Sequence, residues 1–161
     1  MKDYLPLLIA VGQSGAYTSG MNYAPAFDTL EDYGLYIKHA PFTVIPKVKN
    51  IISQSWLDQD GEDTFIPRNA TFEAYDLDLE FVYCRGDGNA NQNILEFIQA
   101  ITGKWLQIYD SYTQQGRQGV YLVSVDEDPK FQRRGQLDVV IFKAKFRVND
   151  PTTNIVLTKG E

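Results

Sequence analysis

Residues 137–148 constrain the fold more than any other stretch of the chain. Val140, Phe142, Ala144, Phe146 and Val148 alternate there with Val139, Ile141, Lys143, Lys145 and Arg147. A period of two held over so long a run belongs to a β-strand with one dry face and one partly basic face. Such a strand must sit in a sheet whose dry side is covered. Residues 71–83 repeat the pattern, with Leu77, Leu79, Phe81 and Tyr83 between Asp76, Asp78, Glu80 and Val82.

The cover is one helix, read over residues 89–103. Ile94, Leu95, Phe97, Ile98 and Ile101 recur at helical spacing and make one wide apolar face. Asn91 or Asn93 is expected to cap its start and Gly103 to end it. A helix of this length is marginal by itself and needs a surface to pack on. The expected fold class is therefore α+β, mainly antiparallel β: a β-sandwich or split barrel with one flanking α-helix.

The remaining chain reads as strands and loops of one domain over residues 1–161. Residues 5–11 are a short first strand. Residues 12–27, with Gly12, Ser14, Gly15, Gly20, Tyr17 and Tyr23, are a loop or arm. Residues 33–37 read as a strand with Gly34 near its start, and residues 42–55 as a long strand in which Pro46 requires an edge or a bulge. Residues 85–89 form a turn and residues 105–109 a short buried strand. Residues 114–119 are expected to be a hairpin tip, residues 126–135 a solvated connection, and residues 150–161 a C-terminal tail. The aromatic share of 13% suits a pleated, half-buried surface.

Charge and residue counts exclude several functions. A net charge of −6 opposes a main role in gripping nucleic acid phosphates. Cys84 is the sole cysteine and His39, beside Ala40-Pro41 in a turn, the sole histidine, too few for a zinc site or a Cys-His pair. Asp58-Gln59-Asp60-Gly61-Glu62-Asp63 invites a calcium reading, but counting from Asp58 an EF-hand would need glycine at Asp63 and glutamate at Asn69. A solvated acidic loop is the expectation. Arg85-Gly86-Asp87 and the sequon Asn69-Ala70-Thr71 are short enough to arise by chance. Lys143, Lys145 and Arg147 face either an acidic partner or water. No apolar run suggests a signal peptide or a membrane span, so synthesis in a reducing cytoplasm is expected. No cofactor, metal site or enzymatic centre is expected.

Taken in order, Asp32-Tyr33-Gly34-Leu35, an extended strand, an aspartate-glycine loop and residues 72–81 resemble the N-terminal domain of phage distal tail proteins. The order continues through the helix, Trp105-Leu106-Gln107-Ile108-Tyr109-Asp110, the strand through Val120-Tyr121-Leu122-Val123 and the closing Asn149-Asp150-Pro151. The resemblance covers residues 28–151. It implies a tail-tube-like fold in a ring, typically a hexamer, around a channel through which DNA passes, with other tail proteins as partners and no membrane. The chain departs from the family in having Gln59 where an arginine usually precedes Asp60-Gly61. The sequence runs only just past the expected ring domain, so no carbohydrate-binding or receptor-related extension is expected, and a tail tube protein stays open. Tyr17 and Tyr23 in the first loop, and Trp56, Asp58, Asp60 and Asp63 in the acidic loop, are the candidate subunit-interface residues. A β-sandwich module binding carbohydrate or peptide through exposed aromatics is the alternative, and a carboxylate enzyme centred on residues 58–63 the third reading.

Overall fold

The computed structural model describes residues 6–18, 20–38, 42, 46–69, 71–86, 89–126, 129–135 and 137–160. The His39 turn, residues 43–45 and Asp87 of the Arg85–Asp87 tripeptide lie outside the described residues. Of the long strand expected at 42–55, residues 46–51 are described and are not strand apart from a single bridge at Val48, and only Ile52–Gln54 forms one. In chain order the elements are β1 (Leu8–Val11), β2 (Phe27–Asp28), α1 (Thr29–Tyr33), β3 (Leu35–Ile37), β4 (Ile52–Gln54), β5 (Asp63–Phe65), β6 (Tyr75–Arg85), α2 (Ala90–Ile101), β7 (Leu106–Asp110), β8 (Gln115–Val125), β9 (Lys130–Arg134) and β10 (Leu137–Val148).

The two alternating strands are each other's neighbours. β6 and β10 pair antiparallel without a slip from Tyr75 opposite Val148 to Arg85 opposite Asp138. The register sets Leu77, Leu79, Phe81 and Tyr83 opposite Phe146, Ala144, Phe142 and Val140 on the dry face. A slip of one residue would turn every one of these side chains into water. On the wet face the same register sets Asp76, Asp78 and Glu80 opposite Arg147, Lys145 and Lys143. Arg147 Nη1 lies 2.9 Å from Asp76 Oδ1, and Lys38 Nζ lies 3.7 Å from Glu80. The basic stripe thus has an acidic partner within its own sheet. Exposed pairs of this kind add only about 0–1 kcal/mol each, so they favour the register more than they stabilise the fold.

The main sheet runs β2-β1-β7-β8-β10-β6-β3, with every pairing antiparallel. Along β10 the neighbour changes: β8 pairs its Ala144–Val148 half and β9 its Leu137–Ile141 half. Inner-face residues from strands far apart in this order, Ile9 of β1, Ile37 of β3 and Val120 of β8, belong to one buried cluster. The sheet therefore curls around a shared core, and α2 fills its concave side. Phe97 is fully buried there, with its ring centroid 5.3 Å from Phe81, 5.4 Å from Tyr33 and 6.5 Å from Phe27. The expected class, mainly antiparallel β with a flanking helix, is the observed one.

Several expectations are corrected. Asn93 lies inside α2, where its amide donates to the Tyr83 hydroxyl at 2.9 Å and ties helix to sheet. The helix begins after Asn89, with no side-chain capping bond. Leu95, placed on the apolar face from its spacing, is half exposed. Gly103, at φ 75°, turns the chain just past the last helical residues, as expected. A second, one-turn helix was not anticipated. In α1, Asp28 accepts from the Leu30 and Glu31 amides at 2.8 and 3.2 Å. Gly34 closes the turn at φ 73°, so Tyr33 and Gly34 precede the strand that residues 33–37 were expected to form. Arg85 reaches the Leu30 carbonyl at 2.6 Å and satisfies the C-terminal end of α1.

Of residues 114–119, expected as a hairpin tip, 115–119 are strand, and the turn sits at 111–114, with Gln114 at φ 57°. Gly116 is buried within β8 because the C-terminal segment crosses it. The Asn154 side-chain oxygen accepts from the Gly116 amide at 3.0 Å, and the Ile155 amide donates to the Gly116 carbonyl at 3.4 Å. Residues 130–134, read as a solvated connection, form β9. The described ends of the expected arm are tied down: Gly12 N donates to Trp105 O at 2.7 Å, Trp105 N to Gln13 O at 3.1 Å and Ala24 N to Val11 O at 2.8 Å. Gly160 donates to Ala26 O at 2.9 Å, which holds the tail to the start of β2.

One substitution follows from this clasp. A Cβ on Gly116 would stand 2.5 Å from the Ile155 carbonyl oxygen and 2.9 Å from its side chain. Gly116→Ala is expected to cost about 1–3 kcal/mol by overpacking. It should also free residues 150–160, seen as faster proteolysis after Asp150 with the core still folded. Unchanged proteolysis would mean that the tail does not depend on this contact.

Candidate assembly surfaces

Beyond the main sheet the chain builds a two-stranded hairpin from β4 and β5, paired Ile52 to Phe65, Ser53 to Thr64 and Gln54 to Asp63. It is rooted on the lead-in to β6. Val48 bridges Phe72, the Lys49 amide donates to Thr71 O at 2.9 Å and the Glu73 amide to Lys47 O at 2.7 Å. From that root a ribbon runs out to a tip at residues 55–62.

Trp56, Asp58, Asp60 and Asp63 are brought together on this hairpin. The Trp56 indole donates to Asp63 Oδ2 at 3.1 Å and closes the tip, while Asp58 and Asp60 are exposed. Sequence reasoning missed the apolar residues around them. Ile52 and Phe65, directly opposed, are 76% and 68% exposed, Leu57 is fully exposed, and Ile51 and Ile66 flank them in the open. Single exposed apolar side chains are ordinary, but the cross-strand pair Ile52 and Phe65 shares one open face of the hairpin, which is a mark of an interaction surface. A lone two-stranded hairpin is marginal in water, so this one calls for a covering surface. The signal in the sequence was Ile51-Ile52 and Phe65-Ile66 on either side of a polar, glycine-containing turn.

Tyr17 and Tyr23 lie elsewhere. Both are half-buried, Tyr17 against Trp105 with ring centroids 5.2 Å apart and against Gly119, Tyr23 against Gly12. Trp105 continues the stack to Tyr121 at 5.4 Å and donates from its indole to Gly15 O at 2.7 Å. Burial first, then the negative charge of Asp150, push the Tyr17 phenol from 10.0 up to about 12. Burial also raises Tyr23, partly opposed by its contact with the Gly119 backbone, and raises Tyr33 together with Asp32 and Glu96.

The folded state thus holds these protons more tightly than the unfolded chain does. Stability is complete below the ordinary phenol value of 10.0 and declines as pH rises toward 12. The urea midpoint should fall across that window, and Tyr17→Phe should remove part of the fall. An equal decline in the variant would assign it to other groups.

Among the described residues no three His, Cys, Asp or Glu side chains cluster in a way that could hold a metal ion. No helix among them is long and apolar enough to cross a membrane. Arg85 of the Arg85–Asp87 tripeptide is occupied at the end of α1.

Neither a protein-family model nor a curated protein matches the chain. Among solved structures it is similar to the SPP1 Dit (gp 19.1) protein, described as a paradigm of the hub adsorption apparatus in phages infecting Gram-positive bacteria, with a TM-score of 0.51 and 13% identity. The match covers 89% of this chain and 50% of that one, so the chain spans half the length of the protein it matches. A likeness at this identity is one of fold.

Proposed function

We propose that this chain is a structural subunit of a phage or prophage tail, a ring-forming distal tail or tail tube protein that acts by self-assembly around a central channel. The observation that carries this reading is the exposed hairpin. Its opposed Ile52 and Phe65 make an exposed apolar pair, and Leu57 stands exposed at its tip, on an element that is weak when uncovered. The fold likeness to a phage hub protein and the order of motifs across residues 28–151 support the same reading.

A projecting element that docks on a different face of an identical neighbour is a heterologous contact, which gives a ring when the rotation closes. A hexamer is the proposed closure, by the family resemblance. Other tail proteins would meet the two ring faces. A chain of net charge −6 suits a channel that lets DNA pass without holding it. The work is done by contact, without turnover, and the place of action is the virion tail. Electron microscopy of the purified chain tests this: annular particles are expected, and single-subunit particles at high protein concentration would overturn it.

A further inference from the structure

We propose that the hairpin tip of one copy seats in the groove beside the unpaired edge of β8 on the next copy. The inference rests on the self-assembly reading above and specifies its contact. β7 pairs with β8 only as far as Val120, opposite Leu106. Beyond that point the residues up to Val125 pair with β10 on one side, and among the described residues no strand pairs with the other. An unpaired strand edge is a template for a second strand. Each strand of a two-stranded ribbon also carries one unused edge, so the two can meet by strand addition.

Beside this edge lies a groove of about 330 Å³ walled by Gly15, Gly103, Lys104, Trp105 and Tyr121. That volume is at the lower end for small-ligand sites, the scale of one or two large side chains. The hairpin tip presents two such side chains, the half-exposed Trp56 and the fully exposed Leu57. The charges agree as well. The tip carries Asp58, Asp60, Glu62 and Asp63, with no lysine or arginine from residue 50 to residue 67. The groove is lined by Lys104 and by no carboxylate. A larger groove of about 450 Å³ on the wet face of the sheet is lined by Asp78, Glu80 and Asp126 as well as Lys143 and Lys145, and would repel an acidic tip. The aromatic wall of Trp105 and Tyr121, backed by Tyr17, supplies a rigid apolar surface of the kind that anchors interfaces.

The test is a cysteine pair in the full chain on a C84S background. On mild oxidation, L57C/K104C should give a ladder of disulfide-linked multimers on a non-reducing gel, while either single variant gives no more than a linked pair. K104E should weaken self-association about tenfold, and adding D58K with D60K should restore it. If the native chain associates but L57C/K104C gives no ladder, or L57C/F131C gives one in its place, the groove assignment is wrong and assembly stands. If the native chain remains a single subunit and no ladder forms, the assembly reading fails and this contact fails with it.

Discussion

Replacing Phe97 with alanine is expected to destabilise the fold by about 3–5 kcal/mol. Its side chain is fully buried in α2, where rings of Phe27, Tyr33 and Phe81 close on it from β2, α1 and β6. Removing the ring takes away apolar burial and leaves a cavity that three separate elements cannot collapse around together. A domain of this size is held by about 5–15 kcal/mol, so the loss is a large part of the total. The melting temperature should fall by about 6–20 °C. Leu95→Ala, on the exposed side of the same helix, should change stability by less than about 0.5 kcal/mol. Equal effects for the two variants would mean that α2 does not cover the sheet.

The second large effect concerns association. I52D/F65D should leave the subunit folded, because both side chains face water in the single chain. Burying two such side chains against a neighbour is worth about 3–6 kcal/mol in total. Their loss should weaken self-association about a hundredfold or more. The readout is the dissociation constant by sedimentation, beside circular dichroism of the same sample. Preserved association would remove the hairpin from the interface; loss of the folded signal would show that the hairpin supports its own subunit.

The strands that organise the fold were legible because their signal is repetitive. β6 and β10 alternate over many residues, and α2 repeats at helical spacing, so a single misplaced residue such as Leu95 does not hide the pattern. Short elements have no such redundancy. α1 is one turn, announced by Asp28 three residues before Glu31, and β5 is three exposed residues. β9 was hidden by Lys130 and Arg133, which are tolerated on a strand that, among the described residues, pairs only with β10. Residues 114–119 read as a turn, but Gly116 is small because Ile155 crosses it, and Gly119 takes φ 65° inside the strand with Tyr17 lying on it.

The candidate site was legible in part for the same reasons. Trp56 and Asp63 are near in sequence and meet across the tip. That Ile52 and Phe65 stand opposed in water depends on where the sheet ends, which local pattern does not encode. The stack of Tyr17, Trp105 and Tyr121 joins residues far apart in the chain and is set by tertiary packing alone.

Sedimentation velocity of the native chain over a series of concentrations tests self-assembly most directly. A discrete multi-subunit species that grows with concentration and is lost in I52D/F65D is the expected result. A single-subunit mass at every concentration, unchanged by those substitutions, would contradict it.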